Sequence, residues 1–370
     1  MRENKISVRQ FSVLIAFFTI GTTILIIPAG LAIEAKQDAW IASIVGVVAM
    51  LLVVLLYNSL GKRIPNVSLV QYNDILFGRW AGKIVSLLLV FFAFIGSSTL
   101  LFYVGNFMTT QVMPDTPIQF INMLFISIVV MGLRLGLETL ARAAEIFFPW
   151  FVMLFLVLFL FLVPEIELPK MQPVFESGAK PILKAALSLV ATASFTQIVM
   201  LMIIPVHVTN PDKARKAYYV STLIGGAFII LVTFLCISVL GVDTTSRNVY
   251  PSYALTKKIS IGHFVERIES LMAGLWFMSI YFKMTLYFYA CTIGIAQMLK
   301  LKDYRPLCLP LGMIVVVFSL VVYPNVTYMA HWDSTVYIPY ATSIGLLLPL
   351  LMLVISFFKE KKRGQAKFPR

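Results

Sequence analysis

Residues 10–33 read QFSVLIAFFTIGTTILIIPAGLAI, an apolar run interrupted at its midpoint by Gly21-Thr22-Thr23 and again by Pro28-Ala29-Gly30. It exceeds the roughly 20 residues needed to cross a bilayer core of about 30 Å. Arg2, Lys5 and Arg9 precede it, as basic residues precede a secretory leader, but nine further apolar stretches follow, so it reads as a retained membrane span. The ten stretches run approximately over 10–33, 39–60, 83–112, 118–137, 143–163, 183–206, 218–241, 265–298, 307–323 and 334–358. They are numbered below as spans one to ten. The sequence predicts an all-α integral membrane protein of ten transmembrane helices, with connections longest at 164–182 and 242–264.

Composition agrees. Of the 370 residues, 59% are apolar and 13% charged, against about 45–50% and about 25% in soluble domains. Too few charges exist to cover a soluble exterior, which excludes a cytosolic enzyme, a disordered tail and a secreted disulfide scaffold. Cys236, Cys291 and Cys308 lie in or beside apolar stretches without CxxC spacing, and read as small reduced core residues.

The formal charge of +13 would suggest nucleic acid in a soluble chain. Here its distribution matters more. With the N-terminus in the cytoplasm, the inner segments hold Arg2, Lys5, Arg9, Lys62, Arg63, Arg79, Lys83, Arg134, Arg142, Lys213, Arg215, Lys216, Lys300, Lys302 and Arg305. The tail, 359–370, raises the inner count to 21, while the outer segments hold eight, among them Lys36, Lys184 and Arg247. That asymmetry follows the positive-inside rule and predicts both termini in the cytoplasm, with the tail an anchor on the lipid bilayer rather than a nucleic-acid patch.

Lys283 belongs to neither side. It lies within Trp276-Phe-Met-Ser-Ile-Tyr-Phe-Lys-Met-Thr-Leu-Tyr287, 14 residues beyond Glu269 and 17 before Lys300, so roughly 21 and 25 Å of helix separate it from either. A central Lys costs about 2.5–3.5 kcal/mol on insertion scales and should face protein or a water-filled cavity. No Asp or Glu is expected at mid-depth in any other span. Its partner is then the carbonyls of a broken helix, a ligand carboxylate, or no counter-charge at all if the amine is neutral. The plain alternative is a structural tie between helices.

Two helices carry the pattern of a break. Span one has Gly21-Thr22-Thr23 with Pro28 beyond; span six has Thr192-Ala-Ser-Phe-Thr-Gln197 with Pro205 beyond. Five spans apart, they run in opposite directions, which suggests an inverted-repeat transporter architecture with its site at the midplane. There, half-helix ends offer N–H groups to an anion and carbonyls to a cation. The same residues are also common in ordinary membrane helices, whose neighbours satisfy the freed backbone. Phe92 and Gly96 of span three share a face and suggest an aromatic wall beside a space; close packing is the alternative. Tyr287 lies one turn from Lys283, where its hydroxyl would orient a ligand or satisfy a neighbouring helix.

Glu138, Arg142 and Glu145, with Arg134, follow at three- and four-residue intervals and suggest an ion-pair network on the inner face, structural or gating. Glu266, Arg267 and Glu269 at the start of span eight suggest an outer gate or a solvated ion-paired helix end. His207, His263 and His331 lie in three separate junctions, so no metal or other cofactor is expected. No phosphate-binding loop, zinc-protease or hydrolase motif occurs, and no catalytic constellation.

Gly21-Thr-Thr-Ile-Leu-Ile-Ile-Pro28, Ser194-Phe-Thr…Pro205 and Phe264-Val-Glu-Arg-Ile-Glu-Ser270…Trp276 resemble the B-subunit family of spore germinant receptors, over essentially the whole chain. That family is similar to amino acid/polyamine/organocation permeases. The resemblance implies a LeuT-like five-plus-five inverted repeat, here 1–163 and 164–358 with the basic tail 359–370. It also implies a nutrient sensor, often of an amino acid, in the inner membrane of a bacterial spore. Such a subunit acts with an A-type membrane subunit and a C-type lipoprotein. Family ligand pockets lie among spans one, three, six, eight and ten. Carried onto this chain, the candidates are Gly21, Thr22, Phe92, Gly96, Thr196, Lys283 and Tyr287. The chain departs from relatives at Thr22 and Thr23, where small residues can stand, at apolar Val199, where some have an acid, and at Lys283, where a hydroxyl residue can stand. Two functions follow as expectations: a ligand-sensing receptor subunit, with or without ion conduction, and a proton- or sodium-coupled amino acid permease.

Overall fold

A computed structural model describes residues 5–64, 67–176, 178–202, 208–259 and 268–365, with side chains up to 359. The protein is helical, and eight helices among the described residues are long and apolar enough to cross a membrane. Spans one and two merge in that set as Thr23–Gly61, because only a tight 3-10 turn, Lys36–Asp38, separates them. Two apolar helices are shorter: Val8–Ile20, the first half of span one, and Arg305–Val321, span nine.

Span one is broken where the sequence predicts. The helix Val8–Ile20 ends at Gly21, and Thr23–Ala35 begins after Thr22. Span six is α-helical over Ala179–Ala193 and continues as a 3-10 segment, Phe195–Met202. Burial separates the layers. The apolar window of span six is 83% buried and that of span eight, Glu269–Met298, 72%, against 22% in span five. A helix apolar on every side belongs in a core. The exposed Leu52, Leu124, Leu160, Met313 and Val317 face outward, as lipid-facing residues do.

Polar ties sort the connections into two faces. On the face with the N-terminus, Thr209 N donates to Ile6 O (3.1 Å), Arg9 pairs with Glu145 (2.9 Å), and the Asn58 amide donates to Arg215 O (3.1 Å). There also Arg305 Nε reaches Arg134 O (2.9 Å) and Lys359 Nζ reaches Ile75 O (3.0 Å). On the opposite face Glu34 pairs with Lys184 (2.8 Å), Asp38 accepts from Phe175 N (2.8 Å), and Tyr250 Oη donates to Asn106 (2.7 Å). These ties join the segments that an alternating path across a membrane assigns to one side.

Two connections hold helices that hydropathy alone does not announce. Leu69–Phe77, opened by a Ser68–Gln71 capping box, precedes span three, Arg79–Phe107. After span seven come Val242–Arg247 and Pro251–Thr256, which pack on the second half of span one. One contact there has a clear cause. Pro28 has no N–H, so the carbonyl of Ile24, four residues earlier, loses its helical donor. The Ser252 hydroxyl donates to that carbonyl at 2.5 Å. Ser252→Ala should therefore destabilise the protein by about 1–3 kcal/mol, the cost of a buried unpaired carbonyl. Thermal unfolding should show that cost shrinking toward zero in a Pro28→Ala background, where residue 28 regains its N–H; an equal cost in both backgrounds would refute the compensation.

Candidate functional site

Lys283 is 2% exposed and lies against both helix breaks. Its stem crosses Gly21 so closely that a Cβ there would sit 2.2 Å from Lys283 Cδ. Only glycine allows span eight to approach the break this far. Lys283 Nζ donates to Thr22 Oγ1 at 3.2 Å and to the carbonyl of Thr192 at 3.5 Å, and stands 5.3 Å from the Phe18 ring centre. One turn earlier on span eight, Ser279 Oγ donates to the carbonyl of Gly21 at 3.2 Å.

The electrostatics follow from where helices stop. Gly21 ends Val8–Ile20, and Thr192 lies in the last turn of Ala179–Ala193. The amine therefore meets the C-terminal end of the span-six half-helix, where carbonyls carry partial negative charge, and a hydroxyl at the span-one break. Among the described residues no carboxylate pairs with it; its partners are the Thr22 hydroxyl and one carbonyl at a helix break, that of Thr192. An ammonium has three donors. Two are engaged, and the side chain also lines a cavity.

Other polar groups knit the breaks together. Thr23 Oγ1 donates to the carbonyls of Thr19 and Ile20, which the break leaves short of donors. Gln197 Nε2 donates to Thr19 Oγ1 at 2.9 Å, tying span six to span one. Tyr57 Oη shares its one hydrogen between the carbonyls of Phe195 (2.9 Å) and Gly345 (2.6 Å), holding the 3-10 segment between spans two and ten.

The cavity measures about 380 Å³, within the usual range for small-molecule sites. Thr22, Phe92, Gly96, Lys283 and Tyr287, five of the seven candidate ligand residues, line it. It extends to the Glu34–Lys184 ion pair and to Arg247 on the face opposite the N-terminus. Gly21 is covered by the Lys283 stem, and Thr196 lies behind Tyr287, whose hydroxyl it neighbours. The expected space beside Gly96 is partly filled. The Tyr287 ring lies where a Cβ at Gly96 would be 2.5 Å away, so that ring, Phe92 and Tyr340 form the wall together.

The bounds of span ten differ from the expected 334–358, and the difference brings in an acid near its end, not at mid-depth. The span-ten helix is continuous from Val326 to Lys359 rather than from 334, which brings Asp333 inside it. Asp333 lies in a π-helical turn, Trp332–Val336, and lines the same cavity as Lys283. Tyr103 Oη donates to its Oδ2 and Tyr323 Oη to its Oδ1, the latter at 3.5 Å. Asp333 stands in a polar stretch, Ala330-His-Trp-Asp-Ser-Thr335, which a hydropathy window treats as a boundary.

The ion-pair candidates divide. Arg142 pairs with Glu138 at 2.5 Å within one helix, whereas Glu145 reaches across to Arg9. Glu269 opens the span-eight helix; Glu266 and Arg267 lie outside the described residues, as do Pro205, His207 and His263. His331 is exposed, and no group of three His, Cys, Asp or Glu among the described residues could hold a metal ion. Cys236, Cys291 and Cys308 are buried and unpaired as disulfides.

The crossing of Lys283 over Gly21 makes a quantitative prediction. Gly21→Ala should cost about 1–3 kcal/mol, as overpacking does, because the methyl group and the lysine stem cannot share that space. With Lys283 truncated to Ala, which removes the Cδ and Cγ contacts and leaves Cβ at 3.1 Å, the same substitution should cost clearly less in thermal unfolding; an undiminished cost would place the clash elsewhere.

Comparison with known proteins fits this architecture. Residues 5–328 match the family described as "Spore germination protein". Spore germination protein KB of Bacillus subtilis is 27% identical over 99% of this chain and 98% of its own length. The putative spore germination protein YfkT of the same organism is 28% identical over 95% and 96%. Among solved structures, MhsT in complex with L-phenylalanine superimposes with a TM-score of 0.71 at 13% identity, over 97% of this chain and 99% of that one. Mhp1, a nucleobase-cation-symport-1 family transporter in a closed conformation with bromovinylhydantoin bound, gives 0.70 at 11% identity over 95% and 78%. The fold is thus the all-α, LeuT-like fold of these transporters, and the chain is a multi-pass membrane protein that belongs to the spore germination protein family.

Proposed function

We propose that this chain is the membrane subunit of a spore germinant receptor, which binds a small nutrient, an amino acid, in the cavity above Lys283 and thereby triggers germination. The observation that carries the reading is a buried amine, held by a hydroxyl and a helix-end carbonyl and by no carboxylate among the described residues, on the surface of a cavity of about 380 Å³. A third donor on that amine suits a carboxylate. Thr22, Phe92, Gly96 and Tyr287 complete the contact surface, with Gly21 and Thr196 supporting it. The two breaks lie on either side of the amine, so a ligand that draws on it biases both half-helices. MhsT, of similar fold, holds L-phenylalanine in its crystal structure, which agrees with a site of this size and chemistry.

In this reading both termini are cytoplasmic, the cavity opens away from the cytoplasm, and the membrane is the inner membrane of the spore. The chain comprises two five-helix repeats, 1–163 and 164–358, followed by the basic tail, and works with an A-type membrane subunit and a C-type lipoprotein. No cofactor or catalysis is involved. The second reading is a proton- or sodium-coupled amino acid permease. It is favoured by the position of Lys283 Nζ at the carbonyl end of the span-six half-helix beside the span-one break, where a cation would be held.

Spores carrying Lys283→Met should lose their germination response to amino acids while keeping normal amounts of the protein; an unchanged dose–response would contradict the proposal. The purified chain alone in liposomes should take up no amino acid. Uptake driven by a proton or sodium gradient would instead establish the permease, and ion flux evoked by the nutrient would establish conduction.

A further inference from the structure

Five charged residues line the cavity, and they are not equivalent. Glu34 and Lys184 neutralise each other at 2.8 Å, and Arg247 is exposed at the rim. Lys283 and Asp333 remain, of opposite sign and in one cavity, and neither forms a salt bridge with a described residue. We propose that Asp333, set in the π-helical turn of span ten and held by Tyr103 and Tyr323, takes the ammonium of a zwitterionic amino acid whose carboxylate lies toward Lys283. This inference rests on the cavity being the ligand site and names the second of its two charged contacts.

The other takers of an ammonium in such a site would be the carbonyls at the breaks; these are uncharged, and each already accepts from a donor of the protein. Gly21 O accepts from Ser279, and Thr19 O and Ile20 O accept from Thr23. Thr22 O accepts from the N–H groups of Leu25 and Ile26, and Thr192 O accepts from Lys283 and Thr196. Asp333 is held but not neutralised. Two phenol hydroxyls engage it, and a carboxylate has about four acceptor positions, so capacity remains for a cation. A half-buried carboxylate without a cation costs some free energy that a bound ammonium would recover.

Lys283 and Asp333 line the same cavity. Tyr287 packs on Gly96, and Tyr103, two turns further along span three, donates to Asp333. Two turns amount to about 10 Å. The two charged groups thus stand at different levels of one cavity, each with room for a charge-assisted hydrogen bond to a ligand. The π turn, which inserts one extra residue into the helix, is a feature that recurs at functional sites.

The test compares each L-amino acid with its 2-hydroxy acid, which keeps the carboxylate and replaces the ammonium by a hydroxyl. Binding is read by thermal shift on the purified full chain. The wild type should bind at least one amino acid and prefer it to its hydroxy acid. Asp333→Asn should weaken the amino acid on the order of 10- to 100-fold and lower the preference toward unity, whereas Lys283→Met should weaken both ligands. A merely structural Asp333 would not change the preference. Retained preference in a folded Asp333→Asn protein would overturn this inference and leave the cavity reading intact. A response of Asp333→Asn altered only toward sodium or potassium ions would overturn it as well. If the wild type binds no amino acid, both readings fail.

Discussion

Everything at the centre of this molecule depends on a single amine held where two helices stop. Lys283 passes over Gly21 and reaches the carbonyl of Thr192, so one side chain from span eight joins the breaks of spans one and six. An amine buried this deeply is tolerated in a membrane only if something polar receives it. Here a half-helix end and a hydroxyl supply what a carboxylate would supply elsewhere. Removing the glycine, either break or the lysine alters the other three.

The surrounding polar network follows from the same constraint. Each interruption leaves carbonyls without helical donors, and each has been given a substitute: Thr23 at the first break, Tyr57 at the 3-10 segment of span six, Ser252 where Pro28 removes an N–H. Such substitutes are individually worth about 1 kcal/mol. Together they make broken helices a stable arrangement, and they fix which parts can move relative to which. Spans three and ten, whose aromatic side chains form the cavity wall, meet the breaks through Tyr287, Tyr57 and Tyr337, among other contacts.

Much of this is legible in the sequence because membranes make violations conspicuous. A lysine in the middle of an apolar helix stands out, and so does a Gly-Thr-Thr cluster followed by proline. Both point to the observed crossing. Asp333 escapes notice for the converse reason: polar neighbours make its segment look like a boundary, although the helix begins at Val326. Spacing assigns Glu145 to a local ladder, whereas Arg9, far away in sequence, is its partner. The helices at 242–256 give no hydropathy signal, being short and polar. Gly96 suggests a space, but spacing on one helix cannot reveal that a neighbouring tyrosine occupies it.

The central claim is that the Lys283 amine is the point at which a ligand engages both broken helices. Determining the structure of the full chain with its germinant amino acid bound, by electron cryomicroscopy, tests it most directly. The ligand carboxylate should lie within hydrogen-bond distance, about 2.7–3.2 Å, of Lys283 Nζ, with Thr22 and Thr192 still adjacent. A ligand bound elsewhere, with Lys283 still engaged only by Thr22 and the Thr192 carbonyl, would contradict it.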